Sequence, residues 1–231
     1  MKNEYNVDSL LTSTSKKMNA DFIKKVYSLL SCQLLLTFTF ASFAAYQSNI
    51  HEFVLERSEI NIAAYFMNIV FFITLYCFQN KYPINIILLF LFTMSISYNI
   101  GYIAALFQEN NNASILITAL AITIIDFSAL TIYVMFTKKD FHFLQTGLLI
   151  ALFSLILFSS FTFIFPTIFK ISNSIIGFIG TVVFSGYILY DTSELLHRMG
   201  PDDYIIATIQ LYLDIINLFM YLLQFLSTRT D

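Results

Sequence analysis

The sequence of 231 residues holds no tryptophan, two cysteines and three histidines, and only 12% of it is charged against the ~25% usual in soluble domains. Each shortage removes a class of function. Cys32 and Cys77 both lie in apolar stretches, which excludes a disulfide framework and casts them as buried small hydrophobes. His51, His142 and His197 fall in expected loops, with no two at metal-ligand spacing, so a zinc centre is not built from them. No HExxH, GxSxG, GxGxxG or Walker sequence occurs, and neither an enzyme nor a bound cofactor is expected. A net charge of −3 gives no basis for nucleic-acid binding. Without tryptophan, any interfacial belt must be made by tyrosine and phenylalanine.

What is present is apolar length: hydrophobic residues make up 58% of the chain. Seven apolar segments run at about Val26–Tyr46, Ile62–Phe78, Pro83–Phe107, Ala113–Phe136, Phe143–Phe165, Ile171–Tyr190 and Tyr204–Leu226. Each approaches the ~20 residues that carry a helix across ~30 Å of hydrocarbon. The second is short, and its ends are the least defined. The expected class is an all-α integral membrane protein of about seven transmembrane helices. It divides into a polar tail over 1–25, a single bundle over 26–226 and a short tail over 227–231. The lysine-scattered lead is too long for a cleaved signal peptide and reads as the flank of a signal anchor. Connections are brief, so successive spans pack antiparallel.

Charge placement sets the expected orientation. Nine basic residues (Lys2, Lys16, Lys17, Lys24, Lys25, Lys81, Lys138, Lys139 and Arg198) fall on the N-terminal side of this parse. Three (Arg57, Lys170 and Arg229) fall on the other. The excess places the N-terminus in the cytosol. Asn112-Ala113-Ser114 is a glycosylation sequon in a lumenal loop, but it abuts the fourth span, and non-use is expected.

Ionisable groups at membrane depth cost roughly +2.5–3.5 kcal/mol each on insertion scales and call for a reason. Three aspartates qualify: Asp126 in the fourth span, Asp191 at the end of the sixth and Asp214 in the middle of the seventh. In the seventh segment Gln210, Asp214, Asn217, Tyr221 and Gln224 recur at spacings of four, three, four and three, one face of a helix. Such a stripe faces other helices or water rather than lipid. A helix lying flat on the membrane would instead carry Lys or Arg on that face, and here there are none. In the sixth segment Gly177, Gly180, Phe184, Tyr187 and Asp191 also share a face, a close-packing interface that ends at Asp191. Asp191 has a second reading, as the cap of a helix over Thr192–Arg198 with Glu194 completing a capping box. For Asp126 the expectation is a neutral carboxyl bonded to a neighbouring helix. If Asp191 and Asp214 face each other, two like charges in a low dielectric share one proton. Protonated, the pair is a neutral plug; deprotonated, it is an oxygen-rich site for a hard cation such as calcium.

Several runs carry a family resemblance. Tyr190-Asp191-Thr192, Pro201-Asp202-Asp203-Tyr204 and Leu211-Tyr212-Leu213-Asp214-Ile215-Ile216-Asn217-Leu218-Phe219 resemble the C-terminal signature of the Bax inhibitor (lifeguard) family. The segment from Phe22 to Gln33 is similar to that family's entry to its first span, and Thr137-Lys138-Lys139-Asp140-Phe141 to its fourth connection. The resemblance extends over about residues 21–226 and is nearest the lifeguard or Golgi anti-apoptotic branch. It implies six helices packed around a central last helix in endoplasmic reticulum or Golgi membranes. It also implies a pH-tuned calcium leak that lowers store calcium, protection against apoptosis, and Asp191 with Asp214 as the paired aspartates. Two departures stand out: Ile96 occupies a third-span position that is acidic in some members, and Arg57 precedes the second span instead of lying in it, where others latch the aspartates. Two competing expectations are an anti-apoptotic interaction protein that conducts nothing and binds other membrane proteins, and a cation/proton antiporter. The last segment either spans completely or is re-entrant.

Overall fold

A computed structural model describes residues 2–164 and 173–227, except for the side chains of residues 2–17, Ser58 and Phe163. Apolar runs in a bilayer must satisfy their own backbone, and helices do so locally. Among the described residues eight form: α1 (Lys2–Tyr46), α2 (Ser48–Glu56), α3 (Ser58–Phe78), α4 (Ile84–Glu109), α5 (Ala113–Thr137), α6 (Gln145–Ile164), α7 (Asn173–His197) and α8 (Tyr204–Ser227). Single 3-10 turns precede α6 and α8, and no strand occurs among the described residues. Among the described residues seven helices have the length and apolarity to cross a membrane, the first over Met18–Tyr46 and the last over Pro201–Ser227. The chain is thus an all-α multi-pass membrane protein in contact with the bilayer.

Burial ranks the spans. α8 packs against α1, α4, α5 and α7, and Ile205, Leu211, Tyr212 and Leu218 leave it with almost no exposed surface. α3 and α6 are outermost, with Phe66, Ile69 and Ile73 on one and Phe153 and Ile156 on the other turned outward to lipid. The last helix is therefore the axis of the bundle, and it is unbroken to Ser227.

Four details differ from the sequence reading. The second span begins at Ser58, not Ile62, because the loop before it folds into α2. Val54 of α2 packs against Ala44 and Ala105, and His51 Nε2 meets Glu109 Oε2 at 3.0 Å. That carboxylate raises the pKa of His51, so the tie is full below about pH 6.5 and is lost as pH climbs through the raised value. The polar lead is helical from Lys2 and continuous with the first span. Cys32 and Cys77 are exposed, not buried: in a bilayer an apolar position need not turn inward, since lipid is as apolar as a core. Finally, the sixth span does not stop at Tyr190; α7 continues to His197 and carries Asp191 within it. Phe165, Ile171, Lys170, Arg229 and the tail Thr228–Asp231 lie outside the described residues.

Candidate functional site

α7 and α8 form the most extensive helix pair, and two glycines allow it. A Cβ on Gly177 would lie 2.6 Å from the backbone nitrogen of Phe225, and one on Gly180 would lie 2.3 Å from the Tyr221 ring. Neither fits, so the two small residues let α8 approach to backbone contact. Gly177→Val is expected to cost about 1–3 kcal/mol by overpacking and to lower the thermal unfolding temperature in detergent. Gly147→Ala is the control, because nothing lies within 4 Å of a Cβ there. Equal behaviour of the two variants would show that the glycine face is not a contact.

This close approach brings together the two aspartates singled out from spacing. Asp191 and Asp214 are 6% and 5% exposed, and their carboxyl groups meet within hydrogen-bond reach. An ionised carboxylate only accepts, so a hydrogen bond between the two needs one proton on the pair. Among the described residues no lysine, arginine or histidine pairs with either aspartate, and no side chain donates to Asp214 Oδ2. The groups facing the pair are Tyr187 and Glu194, both on α7. Gln210, one turn before Asp214, keeps its Oε1 buried and unbonded. The position of Asp191 inside an unbroken α7 removes the cap reading, which required a helix beginning at Thr192.

The rest of the polar stripe divides. Tyr221 stacks on Phe184 at a ring separation of 5.5 Å, within the α7–α8 interface. Asn217 turns its amide back to the Leu213 carbonyl at 2.8 Å and, with Gln224, lines a cavity rather than the carboxyl pair. Asp126 stands apart: Ser185 on α7 donates to its Oδ2 at 2.6 Å, which ties α5 to α7 as expected of an isolated carboxyl.

Beyond the pair, the connection between α5 and α6 is clamped onto the end of α7. Lys138, with φ 50°, ends α5 in the left-handed region and turns the chain toward α7. Arg198 then grips Asp140 through two bonds of 2.6 and 3.0 Å and Glu194 at 2.9 Å, while His142 Nδ1 meets Glu194 at 2.9 Å. The guanidinium holds the carboxyl of Asp140 well below the usual carboxylate range, so this clamp stays charged at any ordinary pH. Ser193 Oγ accepts the Phe141 N–H at 2.9 Å, closing the end of α7 two residues beyond Asp191. Lys25 lies over the Tyr204 ring at 3.2 Å, and Tyr204 accepts from Asn85 at 2.9 Å. The basic residues Lys25, Lys138 and Arg198 thus gather at one end of the bundle. Arg57 is at the other, over Phe53 near the Glu109 end of α4, and cannot latch the aspartates.

Sequence reasoning missed the polar ties around α8. Tyr212 bonds Thr37 at 2.7 Å, Thr37 meets Ser97 at 3.0 Å, and Gln33 donates to Thr93 at 2.8 Å. Asn99 donates to Asn61 at 2.7 Å and accepts from Asn68, which also receives a bond from Ser95. The signal was there: Gln33 with Thr37 and Thr93 with Ser97 are pairs spaced by four on otherwise apolar helices.

Comparison with known proteins gives a consistent picture. The family described as Inhibitor of apoptosis-promoting Bax1 matches residues 19–231. Protein lifeguard 4 of Mus musculus is 32% identical over 229 residues, covering 98% of this chain and 93% of the relative. The Golgi anti-apoptotic protein of Vaccinia virus (strain Lister) is 34% identical over 227 residues, with the same two coverages of 98% and 93%. Protein LIFEGUARD 1 of Arabidopsis thaliana is 36% identical over 220 residues, covering 92% of this chain and 91% of the relative.

Proposed function

This chain belongs to the Bax inhibitor family, lifeguard proteins among its relatives, and from that premise we propose that it is a proton-controlled calcium leak that restrains cell death. The observation that carries the reading is the carboxyl pair: two buried aspartates in mutual contact, with no basic partner among the described residues. With one proton shared, the pair is a net single charge that ties α7 to α8. When the proton leaves, two carboxylates held at close range repel each other, and their oxygens suit a hard cation such as calcium. Flux is then low on the acidic side and rises as pH rises. The activity is a passive leak and uses neither a cofactor nor a catalytic residue.

The name of the vaccinia relative favours Golgi membranes for this chain, with the endoplasmic reticulum as the second site. With the basic end of the bundle turned to the cytosol, a tag on the N-terminus is expected to be reached by antibody when only the plasma membrane is permeabilised. A tag protected until the organelle membrane is opened would invert the orientation.

The experiment that tests the function is store loading. Cells expressing the chain are expected to release less calcium on ionophore addition than cells expressing Asp191→Asn with Asp214→Asn at equal abundance. Equal release, with protection from death retained, would favour the other reading, restraint through binding of membrane partners without conduction.

A further inference from the structure

A cavity of about 870 Å³ lies between α3, α4, α6, α7 and α8. Its floor is Phe92, Leu213 and Ile216, and neither Asp191 nor Asp214 lines it. Among the described residues no charged side chain lines it either. The amides of Asn68 and Asn99 in its wall are bonded to each other and to Asn61, which leaves that wall satisfied in a dry environment. Its polar rim, with Thr162 of α6 and Asn173 of α7, is at the end of the bundle opposite Arg198.

The position of the mouth decides what enters. α3 packs on α4 and α2, and α6 on α7; the two stand on either side of the cavity with no substantial interface of their own. Both are the outer, lipid-facing helices, with Phe66, Ile69 and Phe153 exposed. The gap between them therefore opens sideways into hydrocarbon, where neither an ion nor a water-soluble ligand is the local species. Ligand pockets commonly measure about 300–1,000 Å³ with apolar walls and a few polar groups at fixed places.

We propose that this cavity is a discrete binding site for one acyl chain of a membrane lipid, drawn laterally from the bilayer between α3 and α6, with its headgroup at the Thr162–Asn173 rim. Occupancy covers the flank of α8 that its own neighbours leave open, at Leu213 and Asn217. The site stands independently of the calcium reading, since it requires neither aspartate.

The lack of tryptophan makes the test direct. Single reporters are placed by Phe107→Trp in the cavity and by Phe153→Trp on the outer face of α6. Each variant is reconstituted in phosphatidylcholine vesicles with a rising fraction of acyl-brominated phosphatidylcholine. The reporter at 107 is expected to lose most of its fluorescence in simple proportion to the brominated fraction, as one exchanging site does. The reporter at 153 falls along the steeper curve of several lipid neighbours. Thr162→Phe combined with Ile103→Phe, filling part of the cavity from α6 and α4, should reduce quenching at 107 and leave the curve at 153 unchanged, which also reports that the bundle is intact. Absence of quenching at 107 in the unfilled protein would overturn the proposal. So would one common curve for both reporters, unaffected by filling, since that is bulk lipid alone.

Discussion

Asp214→Asn is expected to leave the bundle folded and to flatten the pH response of calcium flux. Asparagine is nearly isosteric with aspartate and its amide donates to the Asp191 carboxyl, so the contact between α7 and α8 survives without a shared proton. What disappears is the titrating unit. In the wild type a single proton decides whether two buried carboxyls attract or repel. With an amide at 214, the repulsive state does not exist. The measurement is flux against pH from wild-type and variant protein at matched incorporation, with thermal unfolding in detergent as the check on folding. A wild-type pH profile in the variant would remove the pair from the gating mechanism. Leu213→Asn, one residue along and turned toward the cavity, is the control for an added amide at that level of α8.

The second large effect concerns the pair as a unit. In a background without Cys32 and Cys77, cysteines at 191 and 214 should crosslink under mild oxidation, a disulfide bridging Cα atoms up to about 7 Å apart and the two side chains meeting across the α7–α8 contact. The crosslink is expected to raise the thermal unfolding temperature in detergent and to lose that gain on reduction, because α7 and α8 are then tied as the protonated pair ties them. Asp191→Asn combined with Asp214→Asn should affect the pH response no more than either alone: once one carboxyl cannot ionise, the other has no shared proton to disturb. Failure to crosslink together with additive effects of the two asparagines would separate the aspartates and leave Asp214 acting alone.

These expectations rest on features that were unequally legible in the chain. The spans were plain, because a run of about 20 apolar residues has one stable form in a bilayer. The meeting of Asp191 with Asp214 was legible too, since the 3–4 spacing of Gly177, Gly180 and Asp191 and that of Gln210, Asp214 and Asn217 each define one helix face. The extent of α7 was not. Asp191-Thr192-Ser193-Glu194 reads locally as a helix start, and only tertiary packing of the buried Thr192 and Ser193, with the Asp140–Arg198 clamp beyond them, carries the helix through. The cysteines misled for a related reason: apolar sequence marks membrane depth, but does not tell protein from lipid. The amphipathic α2 and the clamp of 138–142 depend on contacts far along the chain, such as His51 with Glu109 and Phe141 with Ser193, which no local spacing announces. The departure of Arg57 from a latching position was readable from its place before the second span, and the bundle puts it at the opposite end from the pair.

Calcium flux into sealed liposomes containing the purified protein and no other tests the central claim most directly. Entrapped indicator should report entry that scales with the amount of protein, rises as the bath is moved from acid to alkaline pH, and loses that pH response when Asp191 and Asp214 are both asparagine. Liposomes that stay calcium-tight across the whole pH range, with the protein folded and incorporated, would contradict conduction by this chain.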